Sequence, residues 1–176
     1  MGGPGYASSG LGGTTNDDAN APALPGSGGG CGNANYGGGG AGGGLIRLVV
    51  NKIATLKAGS RIEADGAAGR NFTNSDRVGG GGAGGGIYLT CKRFVGEAGA
   101  TISARGGMSA RHTGGGGGGG RIAIWRVTDQ STGPVSTDVT GGMGRSGNAD
   151  APADRGLNGT IVWGWLPAPG TVITLR

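Results

Sequence analysis

Side chains able to carry acid–base or metal chemistry are few and scattered in this chain. His112 is the only histidine and has no carboxylate near it in sequence, so we expect a solvent-exposed loop residue rather than a catalytic base. Asp17 and Asp18 form an adjacent acidic pair whose oxygens could bind calcium, but the spacing of an EF-hand loop is absent. The sequence therefore predicts no enzyme activity, no catalytic residue, no metal site and no cofactor.

Cysteine and asparagine supply the candidates for covalent modification. Cys31 and Cys91 are the only cysteines, and no Cys-x-x-Cys motif is present, which argues against zinc binding and thioredoxin-like chemistry. Two interpretations stay open: a disulfide between them, worth about 4 kcal/mol on the chain-entropy model, or Cys91 as a small apolar filler. Asn71 and Asn158 each begin a match to the N-glycosylation sequon, at 71–73 and 158–160.

The three tryptophans raise the question of carbohydrate stacking, because flat aromatic faces bind sugar rings well. Trp163 and Trp165 share the face of Ile161 in an extended strand, so we expect them to pack in the core. Trp125 points the other way in its own strand. It is the candidate for a surface contact.

Glycine dominates the composition, with 48 of 176 residues, whereas only 35% are hydrophobic. The strict Gly-X-Y period of collagen is missing, which excludes a collagen triple helix. Apolar and β-branched residues are gathered into short runs such as 45–50 and 121–125, which argues against simple disorder. An ordinary globular core is not expected, so repetition must compensate for the poor core.

The net charge of +5 prompts a nucleic-acid hypothesis, but no basic run and no aromatic residues interleaved with arginines are present. We expect a solvated, mildly cationic surface and no nucleic-acid partner. No stretch approaches the roughly 18 apolar residues of a membrane span, so no membrane insertion is predicted. Residues 1–6 also lack the basic and apolar regions of a signal peptide.

The sequence contains an internal repeat, in which glycine runs separate short predicted strands. Each repeat has a strand entered from glycine, followed by a second strand that is marked by a small residue and a glycine, as at 58–64 and 98–104. Apolar residues alternate with polar ones along the strands, which indicates one buried face. The first strands align at two sets of positions, predicted to form interior ladders: Ile46, Ile87, Ile122 and Ile161, and beside them Leu48, Leu89, Ile124 and Trp163.

Equivalent strands about 40 residues apart have enough intervening chain for parallel pairing. We therefore predict an all-β fold, a parallel β-helix or solenoid of about four irregular coils, with polyproline-II-like returns built from the glycine runs. The predicted organisation is an N-terminal glycine-rich loop or degenerate coil over residues 1–36 and a solenoid repeat domain over 37–176.

The repeat phrases at 98–107, 121–124, 141–142 and 158–162 resemble glycine-rich β-solenoid repeats of large bacterial surface and adhesin-like proteins. The resemblance covers roughly residues 37 to 176 and implies an extracellular or particle-surface location, with a structural or adhesive role. A weaker similarity is to the glycine-rich tip adhesins of phage tail fibres. This chain departs from those adhesins because β-strands separate its glycine runs.

Two hypotheses of function follow. Neither end of the repeat resembles a polar cap, which favours self-assembly of copies by end-to-end stacking into a filament or surface layer. The alternative is an adhesin or fibre-tip module whose loops 66–83, 107–113 and 142–157 recognise a glycan or a cell-surface receptor.

Overall fold

The strands of the first sheet begin at the ends of the glycine runs, as the sequence predicts. Several of them are longer than the sequence pattern predicts. The computed structural model describes residues 17–32, 37–71, 78–109, 114–144, 155–168 and 170. It contains the strands β1 (Leu45–Leu56), β2 (Arg61–Glu63), β3 (Gly86–Gly96), β4 (Thr101–Ser103), β5 (Arg121–Asp129), β6 (Ser136–Asp138) and β7 (Thr160–Trp165).

These strands form two sheets in which every pairing is parallel. The first sheet has four strands in the order β1-β3-β5-β7, and the second has three in the order β2-β4-β6. Odd-numbered and even-numbered strands thus alternate along the chain between the two sheets. Each neighbour in a sheet is the equivalent strand of the next repeat.

The prediction of one parallel β-helix of about four coils is wrong. The chain forms two separate parallel sheets, with no helix and no closed barrel in its described ranges. The strands of the second sheet have only 3 residues, whereas those of the first have 6 to 12. Purely parallel sheets are typical of α/β proteins, in which helices make the crossovers. Here glycine segments stand at the crossover positions. Each of them hydrogen-bonds to several other glycine segments, whereas a coil of a β-helix pairs only with the coils before and after it.

The core lies between the inward faces of the two sheets. Ile87 and Ile122 of the first sheet are fully buried, and they belong to the same cluster as Ile102 of the second sheet, which is 1% exposed. Ala64 and Ala104 also belong to this cluster. This shared apolar cluster packs the two sheets against each other.

Tight turns connect β1 to β2 and β3 to β4. The N–H of Ser60 donates to the carbonyl of Lys57 at 2.9 Å, and Ala100 repeats the bond to Glu97 at 3.2 Å. Gly59 has φ 81° and Gly99 has φ 88°, the left-handed region that favours glycine at this position of a type II turn. In these two repeats, the small residue and glycine that mark the second strand in the sequence are therefore the turn itself.

The glycine-rich returns pack together in a bundle with a threefold hydrogen-bond pattern. We call this the glycine bundle: segments 26–30, 38–44, 64–70, 79–85, 104–107, 115–120, 139–142 and 156–159. Successive N–H groups of segment 79–85 point to three different neighbours, as expected for a backbone with three residues per turn. Gly79, Gly82 and Gly85 donate to segment 64–70, Gly80 and Ala83 to segment 27–30, and Gly81 and Gly84 to segment 115–118, at 2.7 to 3.2 Å.

The bundle is packed too closely for side chains at most of its glycines. Residues 78–87 are all buried, although seven of the ten are glycine. A Cβ atom on Gly82 would collide with the carbonyl of Ala41, and one on Gly117 would collide with the carbonyl of Gly82. Glycine Cα–H groups thus face neighbouring carbonyl oxygens, an arrangement that recurs where backbones pack closely. The glycine runs replace an apolar core by backbone packing.

The described part of the N-terminal region, residues 17–32, is hydrogen-bonded to the remaining chain. Gly26 and Gly29 donate to the carbonyls of Gly43 and Gly40, both at 2.8 Å, and Ser27 accepts from Ala83 at 2.9 Å. This segment therefore contributes to the glycine bundle.

Candidate functional site

The inward-facing isoleucines lie in one row across the first sheet. The register pairs Ile46 with Ile87, Ile87 with Ile122, and Ile122 with Ile161. Both middle members are 0% exposed, whereas Ile161 is 38% exposed and Ile46 is half-buried. Burial is thus complete in the middle of the row and incomplete at its two ends.

A second inward row shows the same gradient. It runs from Leu48 through Leu89 and Ile124 to Trp163. Leu89 and Ile124 are buried, Leu48 is 37% exposed, and Trp163 is half-buried, with its ring edge-to-face on Phe94 at 5.4 Å between centroids. Apolar side chains suited to a core therefore remain open to solvent at both ends.

Strands β1 and β7 are the two edges of the first sheet, and they form the candidate site. β1 exposes Val49 by 63% and Ile53 by 49%, and β7 exposes Trp165 by 60%. An edge strand also presents a row of unpaired backbone N–H and C=O groups, which can pair with a strand of another chain. The two edges combine exposed apolar side chains with backbone able to hydrogen-bond.

Arg126 is a buried residue that the sequence reasoning missed. It continues the inward alternation of Ile122 and Ile124 and is only 8% exposed. Its Nε donates to Asp129 Oδ2 at 2.7 Å, and its guanidinium lies 4.9 Å from the ring centroid of Trp163 and 4.2 Å from that of Trp165. A guanidinium between indole rings gains cation–π attraction while its ion pair offsets desolvation. The position was visible in the alternation, but its partners come from later in the chain.

Trp125 faces outward, where the chain itself covers part of the ring. Its Nε1 donates to the carbonyl of Asn20 at 2.7 Å. A Cβ on Gly164, the paired position of the next strand, would overlap the indole ring, so the ring lies directly over that glycine. The ring is half-buried, and only part of it is available to a partner.

The candidate modification sites lie in different environments. Cys31 is exposed and Cys91 is buried, both thiols are free, and burial raises the pKa of the Cys91 thiol. The structure does not join them in a disulfide. Asn158 is exposed, and its Oδ1 accepts from the N–H of Gly141 at 3.1 Å, whereas Asn71 is half-buried.

Asp17, a candidate calcium ligand, uses its carboxylate oxygens to accept hydrogen bonds from backbone N–H groups. Its carboxylate accepts from the N–H groups of Asp18, Ala23 and Leu24 at 2.9 to 3.2 Å, which folds the N-terminal loop around it. No group of three or more potential metal ligands gathers in the described residues. His112 lies outside the described residues.

The loops predicted to recognise a ligand are only partly described. Within loop 66–83, residues 78–83 are buried in the glycine bundle and cannot meet a partner. Much of 107–113 and 142–157 lies outside the described ranges. In the part of the chain that the structure describes, no helix has the length and apolar character to cross a bilayer.

Asp65 and Arg105 form an ion pair between equivalent positions of successive repeats, two residues after strands β2 and β4. Arg105 donates to Asp65 through Nη2 at 2.7 Å, through Nε at 2.9 Å and through its backbone N–H at 2.7 Å. Burial alone would raise the pKa of Asp65, but these hydrogen bonds outweigh it, and the pKa lies below its ordinary value of 3.8. The pair joins two neighbouring repeats.

This ion pair makes stability fall in acid. Because the folded-state pKa of Asp65 is depressed, its contribution is present above the unfolded-state pKa and is lost as the pH falls through the folded value. We expect Asp65→Asn to lower the free energy of unfolding by about 0.5 to 1 kcal/mol at neutral pH and to flatten its decline below about pH 4. Urea unfolding at several pH values measures this, with Glu63→Gln as the control, because Glu63 makes an exposed pair with Arg61. An unchanged acid slope in Asp65→Asn would contradict the assignment.

Comparisons with protein-family models, with curated proteins and with solved structures find no match to this chain. The fold and its exposed edges are therefore the basis for a functional proposal.

Proposed function

We propose that this is a non-enzymatic structural protein whose copies add end to end through the edges of the first sheet and build a filament. The observation that carries the proposal is the burial gradient of the inward rows. Ile87 and Ile122 are fully buried in the middle of a row that leaves Ile161 38% exposed at one edge. A further copy placed on either edge would bury these ends and pair the open backbone.

The lengths of the edge strands favour a β7-to-β1 junction. β7 has six residues, Thr160–Trp165, and these stand in register with residues 45–50 of β1 through the intervening strands. A register shift interrupts β1 immediately after residue 50. The regular half of β1 therefore matches the whole of β7, and the irregular half would project beyond the junction.

The side chains of such a junction are chemically compatible. Continuing the register places Ile161 over Ile46 and Trp163 over Leu48 of the next copy, each an apolar pair. The two surfaces differ, so the contact is heterologous, and heterologous contacts that do not close into a ring give open filaments. Bulges and lysines on an edge strand usually oppose such pairing. In β1 both the register shift and Lys52 lie outside the matched half.

The proposal includes an extracellular or particle-surface location. Its support is the resemblance of the repeat phrases to those of bacterial surface proteins. The partner in this scheme is another copy of the same chain.

Electron microscopy and fibre diffraction of the concentrated full chain test this function. We expect unbranched filaments with a strand spacing of about 4.8 Å along the axis, and an axial repeat of about 19 Å per copy, since each copy adds four strands. Sedimentation that finds only monomers at every concentration reached would overturn the proposal.

A further inference from the structure

Positive charge is concentrated on the strands of the first sheet. These strands carry six lysine and arginine residues and one acid, Asp129. The strands of the second sheet carry Arg61 against Glu63 and Asp138. Among the described strands, the first sheet therefore holds the excess of positive charge.

Three of these cations gather where the strands of the first sheet become irregular. The register shift leaves Lys52 without a Cα partner in β3, and Lys92 and Val127 are unpaired at the same level of their strands. Ile53, Arg93 and Thr128 form the next paired row. These six residues line an open trough of about 340 Å³, which we call the cationic trough.

The three cations of the trough form no ion pair with another residue in the described ranges. Lys52, Lys92 and Arg93 are all exposed. The ion pairs found among the described residues join other side chains: Arg61 with Glu63, Arg105 with Asp65 and Asp138, and Arg126 with Asp129. Like charges on adjacent strands repel each other at about 4.8 Å, so their gathering costs stability unless an anion fills the space between them.

We propose that the cationic trough binds an acidic polysaccharide, a chain that carries carboxylates at regular intervals. Lys52 and Lys92 lie on neighbouring strands, so their ammonium groups can bind successive carboxylates. The planar guanidinium of Arg93 can donate two hydrogen bonds to one carboxylate. Ile53 and Val127 supply an apolar surface for the C–H faces of sugar rings.

Other anionic partners fit the trough less well. No aromatic side chain lines it, so it lacks the stacking surface that single-stranded nucleic acids use. Its apolar residues line a concavity, whereas proteins that bind at a membrane surface insert protruding apolar side chains between lipids. An acidic polysaccharide is flexible, carries regular negative charges and presents the C–H faces of its sugar rings. Its charge matches the cations of the trough, and its rings match the concave apolar surface.

This inference goes beyond the proposed assembly and does not depend on it. The trough begins after residue 50 of β1, outside the half of the strand that matches β7. A filament would repeat the trough once in every copy and strengthen binding through multivalency. A single copy nevertheless contains all six lining residues.

The test compares two variants of equal net charge. Lys52→Gln/Lys92→Gln/Arg93→Gln removes the three cations of the trough. Arg61→Gln/Arg70→Gln/Arg155→Gln removes three exposed cations elsewhere. Isothermal titration with polygalacturonate at low and moderate salt, with neutral dextran as the blank, measures affinity and its salt dependence. Thermal unfolding by circular dichroism verifies that both variants are folded, and Lys52→Arg/Lys92→Arg serves as a charge-preserving variant.

The trough variant is expected to bind polygalacturonate at least about tenfold more weakly and with a smaller salt dependence, because fewer counterions are released. The control and the charge-preserving variant should stay within about twofold of the unmodified chain. Equal losses in trough and control variants would overturn the proposal, because net charge alone would then explain binding. Tighter binding to a DNA duplex, or to phosphatidylserine vesicles, than to polygalacturonate would also overturn it.

Discussion

Replacing Gly82 by alanine is expected to destabilise the protein severely. Glycine costs roughly 0.5 to 1 kcal/mol relative to alanine in ordered structure, so backbone preference alone predicts a gain in stability. The packing predicts the opposite, because a methyl group at Gly82 would meet the backbone carbonyls of Ala41 and Gly40, which cannot move aside as a flexible side chain can. Relief requires segments to separate, which breaks the bonds of Gly82 to Ala67 and Gly107 at 2.9 and 2.8 Å.

We expect Gly82→Ala to lower the free energy of unfolding by about 3 kcal/mol or more and the melting temperature by roughly 10 °C. Gly44→Ala is the matched control, because a Cβ there meets no atom within 4 Å. Its stability should stay within about 0.5 kcal/mol of the unmodified chain, with a small gain allowed by the reduced entropy of the unfolded state. Gly117→Ala repeats the test in another repeat. Thermal and urea unfolding measure all three, and equal stabilities for Gly82→Ala and Gly44→Ala would show that the bundle is not closely packed.

The regular parts of the fold follow from local patterns in the sequence. Ile46 and Ile87 each follow a glycine run at the same position in the repeat, and the structure pairs them. Gly59 and Gly99, which mark the second strands of the first two repeats, occupy turns at positive φ, which is the usual reason for glycine at that position. Alternation and turn chemistry act over a few residues, so a single sequence contains them.

The separation into two sheets could not be predicted in the same way. Whether a glycine run continues a coil or bonds to several other segments depends on what surrounds it. Segment 79–85 donates to three segments drawn from 27–30 to 115–118. No pattern within a run of glycines encodes those partners, because the residues have no side chains to distinguish them.

The surroundings of Arg126 and the cationic trough also depend on contacts between distant residues. The burial of Arg126 requires Trp163 and Trp165, which follow in the next strand of the sheet. The cationic trough requires the register shift that brings Lys52 beside Lys92. Charges that look scattered along the sequence become neighbours because parallel pairing places residues about 40 positions apart side by side.

Blocking either edge of the first sheet is expected to abolish filaments, and mixing the two blocked chains is expected to restore one junction. Leu48→Lys places a charge on β1, and Ile161→Lys places one on β7, at positions that are 37% and 38% exposed. Each variant retains one intact edge, but that edge finds no intact partner among identical copies. Burying an unpaired ammonium in an apolar junction costs several kcal/mol, enough to remove assembly at accessible concentrations. Met108→Lys is the control, because Met108 is 54% exposed but lies outside both edge strands.

An equimolar mixture has one productive contact, since β7 of the Leu48→Lys chain remains able to pair with β1 of the Ile161→Lys chain. Growth then stops, because both outer edges of that pair carry a lysine. Light scattering after size-exclusion chromatography should therefore give a monomer for each variant alone, a dimer for the mixture, and filaments for the control. A variant that dimerises alone would indicate contact between two copies of the same edge, and a mixture that stays monomeric would exclude the β7-to-β1 junction. Filaments in both single variants would locate assembly outside the first sheet, because an isolated lysine on an edge strand is tolerated only where that edge stays in water.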